Sequence, residues 1–107
     1  MCPRYEKAFE VLGKKWTGLI IRILMGGPKR FCEFREQVPE LSDRLLSERL
    51  KELEEEAIIA RVVQPTKPVL IEYALTEKGR ALEAVVEAIQ IWAERWMVPF
   101  PNTETKA

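Results

Sequence analysis

Residues 41–50 combine four leucines with six polar side chains that can form hydrogen bonds. Serine hydroxyls and arginine guanidinium groups donate to phosphate oxygens, and arginine also pairs with the two acceptors on a guanine edge. A glutamate in such a stretch can accept from a cytosine amine. This chemistry suits recognition of nucleic acid, and the candidate residues are Ser42, Asp43, Arg44, Ser47, Glu48 and Arg49.

The same six side chains also fit an ordinary helix surface. Ser42 suits the N-cap, where its hydroxyl accepts a backbone N–H of the first turn. The two arginines have acidic neighbours at Asp43, Glu48 and Glu52 with which they can form ion pairs. For this helix alone, a solvated surface is the simpler interpretation.

The segment after this helix favours recognition. Two runs rich in β-branched residues, 58–64 and 69–75, predict a hairpin, and Pro65-Thr66-Lys67-Pro68 separates them. The prolines stiffen the turn and expose Lys67 as a candidate phosphate or minor-groove contact, the alternative being a solubilising turn lysine. A polar-faced helix followed by a basic hairpin tip is the arrangement of a winged helix, which docks on DNA.

Helical periodicity predicts the elements that position these two parts. A first helix begins at Pro3, a second begins near Lys15, a third covers roughly 30–38, and a fourth runs from Ser42 to Glu56. In the fourth helix, a leucine stripe should face the core, and it consists of Leu46, Leu50 and Leu53.

The start of the third helix is a further candidate site. Its positive charge and its helix N-terminus would suit a phosphate group, which adds Lys29 and Arg30 to the candidate residues.

The last helix, predicted as one helix capped by Thr76 and ended by Pro99, has a wider apolar face than a small domain needs. We expect this face and the first helix to pair two copies of the chain. Trp92 and Trp96 could instead line a ligand cavity, although packing is the commoner role of such a stripe. The candidate dimerisation residues are Tyr5, Phe9, Val85, Ile89, Trp92 and Trp96.

Length and composition are consistent with one mainly helical domain. The chain has 107 residues, of which 47% are hydrophobic, and we assign 1–99 to a winged-helix DNA-binding and dimerisation domain and 100–107 to a flexible tail. The net charge is zero, but bases predominate in 14–35 and acids in 36–56. That distribution fits either a basic binding face or a mixed, solvated surface. We see no secretory signal or membrane-length apolar run, so we expect a cytoplasmic protein without membrane contact.

Enzyme chemistry finds little support in the residues. The chain has no histidine, which removes histidine-dependent triads and histidine metal sites. Its two cysteines, thirty residues apart, form no zinc motif, and the glycines at 26–27 lack the pattern of a phosphate-binding loop. We therefore expect no catalytic site, no metal and no cofactor.

The two cysteines differ in their surroundings. Cys2 lies at a predicted helix N-terminus near Arg4 and Lys7, a position that favours the nucleophilic thiolate. It is therefore a redox-sensor candidate, and an inert near-terminal cysteine is the alternative. Cys32 lies between apolar positions of the third helix, and we expect it to be buried and inert.

Five segments, in this order, resemble the HxlR family of winged-helix transcriptional regulators, which are relatives of the MarR group. The resemblance covers about residues 2–96. Each segment alone is weak evidence, but five at the family's spacing form a strong signal. They are Cys2-Pro3; Leu12-Gly13-Lys14-Lys15-Trp16-Thr17; Gly27-Pro28-Lys29-Arg30-Phe31-Cys32-Glu33-Phe34; Leu46-Ser47-Glu48-Arg49-Leu50-Lys51-Glu52-Leu53-Glu54; and Glu72-Tyr73-Ala74-Leu75-Thr76-Glu77-Lys78-Gly79.

The resemblance implies a homodimer that binds an inverted-repeat operator, with first and last helices pairing across the two-fold axis. It also implies that some members sense oxidants or electrophiles through the N-terminal cysteine. The chain departs from the family at Ala57, where glycine is usual, and at Cys32, where a small polar residue is usual. We therefore predict that the chain is a transcriptional regulator, whose effector is unknown. The alternative is a winged-helix module that binds a protein partner through the acidic face of its fourth helix.

Overall fold

The computed structural model describes residues 2–97 and contains, over those residues, six helices and one antiparallel pair of strands. The predicted tail, 100–107, and the last residues of the predicted domain lie outside this part. No helix among the described residues has the length and apolar character needed to cross a membrane. In chain order the elements are α1 (Pro3–Leu12), α2 (Thr17–Leu24), α3 (Phe31–Gln37), α4 (Asp43–Glu55), β1 (Ile59–Gln64), β2 (Leu70–Leu75), α5 (Glu77–Arg80) and α6 (Glu83–Trp96).

The core forms where α2, α3, α4 and the strands meet. Ile20 and Ile21 of α2 and Phe34 of α3 are completely buried. The predicted leucine stripe of α4 is confirmed, because all three of its leucines are at most 2% exposed. Burial of this stripe fixes which side of α4 is left for solvent or a partner.

Both ends of α4 have identifiable causes. Ser42 is the N-cap, as predicted, and its hydroxyl accepts a hydrogen bond from the Leu45 N–H at 3.1 Å. At the other end Ala57 has a φ of +60°, a left-handed conformation, while the Ile58 N–H donates to the Leu53 carbonyl at 2.9 Å. Alanine in this conformation costs on the order of 1 kcal/mol, whereas the glycine that the family resemblance implies at this position adopts it without steric cost.

The predicted hairpin is confirmed and forms the wing. The strands β1 and β2 pair in antiparallel register from Ile59 opposite Leu75 to Gln64 opposite Leu70. A further pairing was not predicted: the backbone N–H groups of Lys29 and Tyr73 donate to each other's carbonyls at 2.9 and 2.8 Å. The segment before α3 therefore acts as a short third strand that attaches the wing to the helical body.

The prediction of one continuous last helix is wrong. Thr76 caps α5 by accepting from the Gly79 N–H at 3.1 Å, and α6 begins only at Glu83. Gly79 lies so close to the β1 end that a Cβ there would stand 2.1 Å from the Ile58 carbonyl oxygen. This close packing holds α5 against the hairpin. Between the two helices the Leu82 N–H donates to the Gly79 carbonyl at 2.9 Å, a hydrogen bond over three residues that interrupts the α-helical pattern.

The expected burial of Cys32 is also wrong, since its thiol is exposed. Its neighbour Phe31 is half-buried, and Phe34 occupies the core. Successive residues of a helix point about 100° apart, so a position next to an inward-facing one can face solvent. Burial therefore gives no reason to exclude Cys32 from thiol chemistry.

Candidate nucleic-acid interface

The first half of α4 and its cap present polar side chains to solvent. Because Leu46 and Leu50 face the core, Ser47 and Glu48 on the other side of the helix are exposed. The guanidinium-bearing side chain of Arg44 is 90% exposed. The other outward residues of this surface, which we call the recognition surface, are Ser42, Asp43, Ser47 and Glu48, and all are exposed.

The contacts that these residues make within the protein are weak. Arg44 Nε lies 3.3 Å from Glu48 Oε2, one helical turn away, and Arg35 pairs with Asp43. Exposed ion pairs of this kind contribute at most about 1 kcal/mol. A DNA phosphate or base edge can therefore compete for Arg44 at small cost.

Arg49, predicted as a member of the same surface, is placed differently. Its side chain is only 15% exposed. Its Nε donates to the Lys15 carbonyl at 3.0 Å, and its Nη1 lies 3.3 Å from both carboxylate oxygens of Glu52. The structure thus separates the two arginines that the sequence grouped together.

Lys29 and Arg30 lie at the start of α3, as predicted, but both are engaged. The Lys29 ammonium donates to the Gly27 carbonyl at 3.2 Å. Glu33 accepts from the Arg30 backbone N–H at 2.7 Å and lies 3.6 Å from its guanidinium Nε. That backbone hydrogen bond, helped by the charges of Arg30 and Lys29, lowers the pKa of Glu33. The carboxylate stays ionised and offsets part of the positive charge here.

The wing tip presents Lys67. The lysine is exposed and makes no ion pair or hydrogen bond with any residue of 2–97. Beside it, Thr66 donates from its hydroxyl to the Pro68 carbonyl at 2.8 Å and from its N–H to the Gln64 carbonyl at 2.8 Å. Hydrogen bonds within the tip therefore order it, while the Lys67 ammonium is available for a phosphate.

Cys2 is the N-cap residue of α1, and its thiol is exposed. Its carbonyl accepts from the Tyr5 and Glu6 N–H groups at 3.1 and 3.2 Å, which fixes the cysteine backbone on the helix. Next to it, Pro3 and Arg4 belong to the lining of a mostly apolar groove of about 640 Å³ between α1 and α5. The thiol is therefore accessible from solvent and lies next to residues of an apolar groove.

The predicted dimerisation residues are brought to two exposed helices. Over α1 no residue is buried, and the Tyr5 and Phe9 rings pack edge to face with centroids 4.9 Å apart. In α6 Val86 alone is buried. The remaining predicted residues, which are between 42% and 61% exposed, are Val85, Ile89, Trp92 and Trp96.

A leucine-anchored helix with a free polar surface, followed by a hairpin with a basic tip, defines a winged-helix DNA-binding protein. Residues 11–100 match the family described as HxlR-like helix-turn-helix. The chain belongs to this family, and it is a DNA-binding transcriptional regulator. The sequence is 54% identical over 99 residues to the HTH-type transcriptional regulator YodB of Bacillus subtilis, covering 92% of this chain and 88% of YodB.

Solved structures agree with this assignment. The reduced form of YodB superposes with a TM-score of 0.85 at 53% identity, covering 94% of this chain and 98% of that one. Quinone-bound YodB gives a TM-score of 0.78 at 51% identity, covering 90% of this chain and 100% of that one. The redox regulator HypR in its oxidised form gives a TM-score of 0.82 at 40% identity, covering 88% of this chain and 96% of that one.

Proposed function

We propose that the chain works as a cytoplasmic homodimer that binds an inverted-repeat operator. The recognition surface of α4 enters the major groove, and the wing tip contacts the adjacent backbone or minor groove. The observation that carries this proposal is the exposure of Arg44, whose guanidinium is held only by a weak intrahelical pair. Because this exposed pair contributes little stability, Arg44 can exchange it for a phosphate or a base edge at small cost.

The dimer proposal rests on the apolar side chains of α1 and α6 that remain exposed in the protomer. Large aromatic side chains at Tyr5, Phe9, Trp92 and Trp96 are more than half exposed. Contiguous apolar surface of this kind normally marks an interface. Pairing the two helices of one protomer with those of a second copy covers these rings. It also places two recognition helices at a fixed separation, as an inverted repeat needs.

We further propose that Cys2 adjusts DNA binding in response to oxidants or electrophiles. The thiol is exposed at a helix N-terminus and lies beside an apolar groove. The relatives YodB and HypR are described in reduced and in quinone-bound or oxidised forms. A thiolate at Cys2 would add to a quinone ring, or be oxidised to a disulfide with a second thiol while the oxidant is reduced. Since α1 belongs to the proposed dimer interface, modification there would change the spacing of the recognition helices.

Selection of bound fragments from the source genome, followed by fluorescence anisotropy over a range of salt concentrations, tests the DNA proposal. We expect an inverted-repeat sequence to be enriched, with an affinity that falls steeply as salt rises because several phosphates are neutralised. A flat salt response for every sequence would contradict operator binding. It would favour the alternative, a module that binds a protein through the acidic side chains of α4.

The thiol proposal is tested by measuring operator affinity before and after treatment with diamide or a quinone. Wild type should lose affinity, and Cys2→Ser should not respond. Cys32→Ser is the matched control, because this second thiol is also exposed. A response that Cys2→Ser retains would show that the sensor lies elsewhere, and a response that both variants lack would indicate a disulfide between the two positions.

A further inference from the structure

The second half of α4 and its C-cap, Glu56, carry three charged residues that contact the N-terminal part of the chain. Their spacing of three and four residues places them on one side of the helix. Glu52 Oε2 lies 3.1 Å from Lys14 Nζ, and Glu56 Oε2 lies 3.4 Å from Lys7 Nζ. Arg49 is the third of these residues. The recognition helix is thus connected at three points to α1 and to the turn that follows it.

Among these connections, the one made by Arg49 is the best shielded from solvent. Its side chain is 15% exposed, whereas Lys14 is 46% and Lys7 is 61% exposed. Its Nε donates to the Lys15 carbonyl at 3.0 Å, across 34 residues of sequence. Glu52 then accepts from Nη1, so that the planar guanidinium is held between two partners. Water and salt weaken surface pairs, and the part-buried pair of Arg49 with Glu52 is screened less than the pairs of the more exposed Lys7 and Lys14.

The carbonyl that Arg49 contacts belongs to an unusual turn. The next residue, Trp16, has a φ of +79°, although it is not a glycine, and it ends the turn as the N-cap of α2. A left-handed non-glycine residue costs about 1–3 kcal/mol and persists only where its surroundings hold it in place. Arg49 supplies part of that hold, because it fixes the orientation of the peptide group between Lys15 and Trp16.

We propose that Arg49 is a positioning residue that sets the angle between the recognition helix and α1, and thereby the spacing of DNA half-sites that the protein accepts. The proposal deepens the dimeric operator binding proposed above and depends on it. A two-fold regulator meets half-sites whose centres are about 34–36 Å apart, or a multiple of that distance. Rotation of α4 relative to the dimer helices alters this separation. Arg49 therefore affects which half-site spacing the protein prefers, whereas Arg44 affects affinity through direct contact with DNA.

The test compares Arg49→Met with Arg44→Met, two substitutions on the same helix that remove a guanidinium and retain an unbranched stem. Anisotropy is measured on the selected inverted repeat, on the same repeat with one base pair inserted or removed between the half-sites, and on a single half-site. Each titration is repeated at several salt concentrations. Urea unfolding of both variants establishes that the proteins are folded under the binding conditions.

For Arg49→Met we expect about a 10-fold loss on the repeat of native spacing, in line with removal of a charge-assisted hydrogen bond. Its preference for native over altered spacing should shrink, because a less constrained helix fits several spacings. Half-site affinity and the salt slope should stay as in wild type. Arg44→Met should instead weaken the half-site and every repeat, and leave the spacing preference unchanged.

Three results would overturn the role of Arg49. A salt slope lowered by about one, together with a weaker half-site, would make Arg49 a phosphate contact. Equal losses on all spacings would reduce it to a general stabilising residue, and unchanged binding would leave it no role. If Arg49→Met does not fold, Arg49→Lys, which keeps the charge but not the two-partner geometry, is measured in the same way.

The wild-type titrations separate this proposal from the one on which it depends. A wild type that binds a half-site as tightly as the inverted repeat would contradict dimeric operator binding, and the proposed role of Arg49 would fall with it. A wild type that prefers one spacing, combined with an Arg49→Met variant that keeps the same preference, would overturn the role of Arg49 alone.

Discussion

The helices α4 and α6 are nearly equal in length, at 13 and 14 residues, but they bury their apolar side chains to different degrees. In α4, three leucines are almost completely buried, and nearly everything else is polar. In α6 Val86 is buried, while Ile89, Trp92 and Trp96 are all more than half exposed. The apolar face of α4 has its partner inside the protomer, and that of α6 does not.

This difference indicates how the two helices contribute. Because the packing of α4 is complete, its polar side can be used for recognition without loss of stability. We propose that the exposed aromatic rings of α6 pack against a second copy of the chain, which presents the same uncovered face. We therefore expect changes on α4 to act on folding or on DNA, according to the side that they touch. Changes on α6 should act on assembly.

The largest effect is expected at the buried side of α4. Leu50→Ala removes a side chain that is 2% exposed and should lower the free energy of unfolding by about 2–5 kcal/mol, because a cavity replaces packed methyl groups. Urea unfolding followed by circular dichroism measures this change. Lys51→Ala, one residue further on the exposed side, is the control and should change stability by less than about 0.5 kcal/mol. An unchanged free energy of unfolding for Leu50→Ala would mean that the leucine stripe does not anchor α4 in the core.

A smaller but more selective effect is expected on α6. Trp92→Ala should weaken the dimer by about 2 kcal/mol, roughly 30-fold in dissociation constant, since buried tryptophans are typical interface anchors. The protomer itself should remain folded, because Trp92 packs little within it. Analytical ultracentrifugation measures the dissociation constant, with Glu87→Ala, an exposed acidic position on the same helix, as the control. An unchanged dimer would place the interface elsewhere.

On the exposed side of α4, Arg44→Ala should cost about 1–3 kcal/mol of operator binding if the arginine reads a base, and should relax selectivity at one position. The free energy of unfolding should hardly change. Lys67→Ala at the wing tip is the matched comparison: it should weaken all sequences evenly and lower the salt slope by about one. If neither substitution alters anisotropy titrations, the proposed docking of helix and wing is incorrect.

The smallest expected effect concerns the end of α4. Ala57→Gly should raise the free energy of unfolding by up to about 1 kcal/mol, because glycine adopts a positive φ without steric cost. Thermal unfolding should show a higher midpoint, with operator affinity unchanged. Ala60→Gly, in the extended conformation of β1, should instead destabilise the protein. A destabilised Ala57→Gly would indicate that the alanine methyl group contributes packing that outweighs its backbone strain.

Local patterns in the sequence predicted much of this fold. The leucine spacing of α4, the capping role of Ser42 and the two β-branched runs of the wing each depend on neighbours within a few residues. The interruption between α5 and α6 could not be predicted in this way, since it lies beside the close contact of Gly79 with Ile58, which are distant in sequence. An alanine-rich segment otherwise favours a continuous helix.

The candidate site was predictable to a similar extent. The exposure of Arg44 follows from its place opposite the leucine stripe. The orientation of Arg49 does not, because it is decided by a carbonyl at Lys15, far away in sequence. The apolar neighbours of Cys32 predict burial, but its thiol is exposed because only one side of this short helix reaches the core. The exposure of α6 was anticipated, since its apolar face was too wide for one small domain.

The central claim, that α4 is complete within the protomer while α6 needs a second copy, is tested most directly by the mass of the protein with and without DNA. Sedimentation equilibrium at micromolar concentration should give a dimer in the absence of DNA, and two chains on each selected inverted repeat. Trp92→Ala should shift the free protein toward monomer while its circular dichroism stays that of a folded chain. A wild type that is monomeric at this concentration and binds DNA as a single chain would contradict the account.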